Sequence, residues 1–136
     1  MARLVIMVLL SLAAVGVMRS SAAEESLPDK RPVLVVLIFD ESCKVWCQKV
    51  RPIMKELKGQ YTDKIEVIEL DASQPALKQA ETVAKSYGVY GFLRDSADWV
   101  PIVGIFSGRK KLLKELVGPK QKEVYVAAID KALSSN

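Results

Sequence analysis

The chain has 136 residues, half of them hydrophobic, with a formal net charge of +4 and no histidine. That length suits one domain with ample material for a core. The excess of Lys and Arg is mild and forms no basic stripe interleaved with aromatics, so no nucleic-acid partner is expected and a solvated surface is.

The N-terminus reads as a secretory signal. Arg3 supplies a short positive region, residues 4–17 are apolar, and Ser21-Ala22-Ala23 places small residues at the cleavage positions. A run of about 14 apolar residues has the length of a signal and is short for a membrane span. Cleavage is expected after Ala23, which leaves a domain of residues 24–136. Arg19 is an irregularity in this pattern, and an uncleaved N-terminal anchor is the alternative. No cysteine closely follows the apolar run, which argues against a lipoprotein. The expected setting is exported, periplasmic or secreted, with no stable membrane insertion after cleavage. A monomer is expected.

Residues 24–32 are a polar lead-in with two prolines. The run 33–39 (VLVVLIF) is β-branched and aromatic throughout, which suits a strand buried on both faces. Asp40, Glu41 and Ser42 break it, and Ser42 or Asp40 is a candidate N-cap. Val50, Ile53, Met54 and Leu57 recur at helical spacing, with Gly59 as a stop and Pro52 as an expected kink. Residues 64–70 read as a second strand, 71–75 as a turn, and 76–87 as a helix stopped at Gly88. Residues 90–99 have no clear periodicity and read as a loop. A third strand is expected over 102–106, a hairpin turn at Ser107-Gly108-Arg109, and a Lys-rich edge strand over 111–117. Gly118-Pro119 ends it. A last helix over 121–133 is expected to pack through Val124, Ala127, Ala128 and Ile129. The order predicts an α/β fold. Its central mixed four-stranded sheet has a parallel βαβ half and an antiparallel ββα half, flanked by helices on both faces.

Both cysteines, Cys43 and Cys47, lie between the first strand and the first helix, with three residues between them. Unpaired N–H groups and the helix dipole favour a thiolate at such a helix start. Lys44 and Lys49 add positive charge. If both cysteines were helical, Cys47 would lie one turn beyond Cys43 on the same face, with Cα atoms roughly 6 Å apart, within disulfide range. In an oxidising compartment such a pair is either a structural bridge or a redox site. Its loop is too short for much entropic stabilisation.

Four features in this order resemble the thioredoxin family across nearly the whole mature chain. Pro52 follows Cys47 by five positions, as a proline follows that family's second cysteine. Tyr87-Gly88-Val89-Tyr90-Gly91 resembles its Tyr-Gly-Ile-x-Gly run. Val100-Pro101 matches its cis-proline, and Val117-Gly118 its closing Val-Gly pair. The resemblance implies a thioredoxin-like fold and an exported thiol–disulfide oxidoreductase acting on protein thiols and disulfides without a cofactor or metal. Cys43 is then the attacking cysteine and Cys47 the resolving one. Val100 and Pro101 present backbone to the partner, and Trp46 and Trp99 form an apolar rim. The chain departs from the family in four ways. It has Cys-x-x-x-Cys in place of Cys-x-x-Cys, it lacks the usual tryptophan before the first cysteine and has Trp46 before the second instead, it has no acid near Val36 where many members carry a buried aspartate, and it has an additional segment over 92–99 expected beside the cysteines. Two alternatives stand beside this reading. One is a Cu(I)-handling protein of the Sco type, whose third ligand would be a methionine such as Met54. The other is a non-catalytic thioredoxin-like binding module.

Overall fold

A computed structural model describes residues 31–136 of the protein. The signal expected over 1–23 and most of the lead-in lie outside the described residues.

Strand β1 (Val33–Phe39) has the bounds its apolar run predicts, and all of its residues are buried. It is central because both of its edges are paired. It runs parallel to β2 (Ile65–Asp71) and antiparallel to β3 (Ile102–Phe106), which pairs antiparallel with β4 (Leu112–Val117). The sheet order is β2-β1-β3-β4, so the Lys-bearing β4 is an edge, as expected. The hairpin turn is longer than expected and places Lys110 at φ 65°, with a register shift beside Phe106.

Alternation along β1 builds two cores. Val33, Val35, Leu37 and Phe39 pack with α1 (Trp46–Tyr61) and α4 (Lys122–Ser134). Leu34, Val36 and Ile38 pack with α2 (Leu77–Ser86) and α3 (Tyr90–Ser96). On α1, Cys47, Val50, Met54, Leu57 and Tyr61 form the buried stripe, and Pro52 lies inside the helix on its exposed side. Helix α2 ends at Ser86, with Tyr87 as its C-cap, and so stops before Gly88 as expected. There the Val89 N–H donates to the Ala84 carbonyl and the Gly88 N–H to the Lys85 carbonyl.

Two expectations are corrected. Residues 90–99 are not a loop: they form α3 followed by a 3-10 turn, Ala97–Trp99. Phe92 and Leu93 are buried on the α2 side, and a Cβ at Gly104 would meet the Phe92 ring at 2.6 Å, so glycine on β3 is what admits this helix. Seven residues are too few to show periodicity. The buried stripe of α4 is Tyr125, Ile129 and Ala132, whereas Val124 and Ala127 are exposed. Tyr125 suits the core because its hydroxyl accepts the Lys120 N–H at 3.1 Å.

Candidate functional site

The site is assembled at the end of the sheet where β1 finishes. The Ile38–Ile102 pair brings the end of β1 beside the start of β3, so Pro101 and the cysteine-bearing turn leave the sheet together. The Val100–Pro101 peptide is cis. The Pro101 carbonyl accepts the Gly118 N–H at 2.8 Å, which ties the end of β4 to the same place.

The turn itself differs from a helix start. Neither Ser42 nor Asp40 caps α1; the helix begins at Trp46 with Val45 at the N-cap position and no side-chain cap. The Asp40 carboxylate instead accepts the Ser42 N–H at 2.7 Å and the Ser42 hydroxyl at 2.6 Å, and the Asp40 carbonyl accepts the Cys43 N–H at 2.9 Å. These local bonds offer the backbone an alternative to helix. Cys43 therefore lies in the turn, and the expectation of two cysteines on one helical face is corrected. The outcome for the sulfur is similar. Cys43 Sγ accepts the Cys47 N–H at 3.4 Å, so it occupies one of the donors that the first turn of α1 leaves unpaired.

The two thiols are housed differently. Cys43 is half-buried and Cys47 is buried, and both are free cysteines. Burial pushes the Cys47 thiol up to about 11. The sulfur and charge of Cys43 and the Asp40 charge act in the same direction, while a hydrogen bond from the Asp40 backbone opposes them. The Asp40 carboxyl is held below its usual value by its two bonds to Ser42.

Arg51 braces the turn from outside. Its guanidinium reaches Glu41 and Glu69, each at 3.2 Å, and lies over the Phe39 ring at 4.4 Å. The Glu41 N–H also points at the Asp71 carboxylate, 3.4 Å away. Asp40, Glu41 and Arg51 were not singled out as site residues from sequence. The Asp-x-Ser pattern was the available signal for Asp40; the Arg51 contacts depend on β2 and have no local signal.

Trp46 and Trp99 are 53% and 64% exposed, and Val45 is 59% exposed. Trp46 opens α1, and Trp99 closes the 3-10 turn two residues before Pro101. Val100 packs against both cores. Within the additional segment the buried apolar residues, Phe92 and Leu93, lie on the sheet face opposite Cys47, and Val100, which follows the segment, packs in the core that also holds Cys43 and Cys47. Val36 also lies on that opposite face. The β1 positions that share a core with Cys47 are Val33, Val35, Leu37 and Phe39, and none is an acid.

Among the described residues, no group of three or more His, Cys, Asp or Glu side chains is placed to hold a metal ion. Nor is any helix among them long and apolar enough to cross a membrane.

No protein-family model matches the chain, and no curated protein matches it. Solved structures do match, 179 chains in number. One, described as "Structure of a malarial protein", aligns with a TM-score of 0.53 and 20% identity over 75% of this chain and 98% of that chain. At that identity the likeness shows the fold alone.

Proposed function

We propose that the protein has a thioredoxin-like fold and is an exported thiol–disulfide oxidoreductase that exchanges disulfides with partner proteins through Cys43 and Cys47. The observation that carries this reading is the unequal pair. The sulfur of half-buried Cys43 accepts an N–H at the start of α1, and the buried Cys47 behind it is held as a thiol. That division suits an attacking and a resolving cysteine.

The Cys43 thiolate attacks one sulfur of a partner disulfide, forming a mixed disulfide and expelling a partner thiolate. Cys47 then gives up its proton to the expelled partner thiolate and attacks the Cys43 sulfur. This closes the Cys43–Cys47 disulfide and expels the second partner thiolate. Two electrons pass to the partner, and the reverse sequence oxidises it. Because the Pro101 carbonyl is engaged by Gly118, Val100 is the residue whose backbone is offered to an extended partner. Trp46 and Trp99 supply apolar contact beside it. The export assignment rests on the leader pattern of residues 1–23.

The test is a redox titration of the domain across glutathione ratios, with free thiols trapped and counted by mass, followed by a trapping assay. A reversible two-electron transition in the range of thiol–disulfide catalysts supports the reading. Cys43→Ser should abolish exchange, and Cys47→Ser should accumulate the mixed disulfide. A bridge that opens only under strongly reducing conditions, or exchange that survives Cys43→Ser, would overturn it in favour of a structural bridge or a binding module. Stoichiometric Cu(I) binding by the reduced domain, with no exchange activity, would favour the copper-handling alternative.

A further inference from the structure

Beside the cysteine turn, a groove runs between α1 and the segment that joins β4 to α4. Its lining is Lys49, Ile53, Pro119, Lys120, Gln121 and Val124. Three of the six are apolar, two are lysines and none is an acid. Residues at both of its ends neighbour the proposed site. At one end the Lys49 ammonium lies 4.9 Å from the centre of the Trp46 ring, and Trp46 precedes Cys47. At the other, Pro119 follows Gly118, whose N–H is bound to Pro101.

The charge around the groove is one-sided. Lys49 and Lys120 are exposed, as is Lys44 on the cysteine turn. The nearest acids on the flanking helices are Glu56, which is paired with Lys122 at 2.5 Å, and Glu123 on the first turn of α4. Asp40 and Glu41 belong to the cysteine turn, where they are bound to Ser42 and Arg51. An apolar floor between two lysines fits an extended segment that carries a large apolar side chain and carboxylates. A basic segment would be repelled.

Resting on the redox reading above, we propose that this groove docks an acidic stretch of the partner polypeptide lying next to its reactive disulfide. The lysines act before chemistry, by raising the rate of productive encounter, so their effect falls as salt rises. The substrate class is therefore acidic disulfide-bearing polypeptides.

The test uses the reduced protein and three synthetic peptides with the same internal disulfide, flanked by glutamate, glutamine or lysine. Second-order reduction rates are measured at low and high salt. Each is divided by the same protein's rate on the small neutral hydroxyethyl disulfide. The glutamate peptide should react about tenfold faster than the lysine peptide at low salt, and the gap should close in high salt. Charge reversal by Lys120→Glu, and by Lys49→Glu with Lys120→Glu, should progressively erase or invert the preference. Turnover of hydroxyethyl disulfide with equal peptide rates, or a preference for lysine, would overturn the docking inference and leave the redox reading standing. Failure to reduce any of the four disulfides would remove the redox reading and this inference with it.

Discussion

At the end of the sheet where β1 begins and β3 finishes, the chain is pinned by backbone-directed bonds. The Asn136 side chain accepts the Gly108 N–H and donates to the Arg31 carbonyl, both at 2.9 Å, and Gly108 is buried against Arg31. At the opposite end, the Asp40–Ser42 turn is closed by its own side chains. Val45, Trp46 and Trp99 stand in solvent there, and Val117, paired with Ile102, is also exposed. One end spends its polar groups on holding the chain together, and the other leaves apolar surface and a thiol accessible. Large apolar side chains exposed beside a reactive group suggest contact with something outside the fold. The comparison also gives the pinned end a role, because a rigid sheet allows β1 and β3 to deliver Cys43 and Pro101 to a common place.

The comparison predicts that damage at the two ends will be read by different assays. The largest effect on stability is expected at the pinned end. A Cβ on Gly108 would lie 2.8 Å from the Arg31 carbonyl oxygen, so Gly108→Val should cost about 2–3 kcal/mol in denaturant unfolding. The alkylation rate of Cys43 should change little in the folded variant. Loss of Cys43 reactivity in step with stability would show that the ends are not separable.

A smaller effect comes from Cys47. Its folded pKa of about 11 lies above the ordinary value of 9.0, so the folded state favours the neutral thiol. The stability this contributes is fully present below pH about 9 and is lost as pH rises toward 11. Reduced wild-type protein should lose about 1–2 kcal/mol more than Cys47→Ala between pH 8 and pH 10.5. The difference between the two proteins is the quantity to measure, because Tyr61, Tyr87 and Tyr125 are also shifted upward and destabilise both alike. Parallel pH profiles would mean that Cys47 ionises as an exposed thiol does.

The smallest effect is at Asp40. Asp40→Ala removes two acceptor bonds from the turn and should cost about 1 kcal/mol. It should also narrow the difference in alkylation rate between Cys43 and Cys47. Asp40→Asn keeps an acceptor for Ser42 and removes the charge, so the turn should survive while the Cys47 titration, followed by mass-resolved alkylation, moves to lower pH. If the two variants behave alike, the charge that both have lost matters and the hydrogen bonds do not.

Much of the architecture was legible before any coordinates, because it depends on local pattern. The unbroken apolar run of 33–39 and the short run of 102–106 allow few conformations besides buried strands, and both have the expected bounds. The stop at Gly88 was legible for the same reason. Where the sequence reading was wrong, a specific contact that periodicity does not report had decided the outcome. Helix α3 depends on a glycine on β3 that leaves room for Phe92. Tyr125 rather than Val124 faces the core because the segment after β4 supplies a partner for its hydroxyl.

The same division runs through the candidate site. By itself the sequence determined that both thiols lie at the junction of one buried strand and one helix, and that an X-Pro pair opens a later strand. Those are facts of order and spacing along the chain. Tertiary structure alone decided which thiol is buried. Cys47 is enclosed because α1 docks on the β1 face that also receives α4, while Cys43 is held outside by the turn that Asp40 closes. Four residues of separation cannot encode that difference, because desolvation is imposed by elements that are remote in sequence and meet only in the fold.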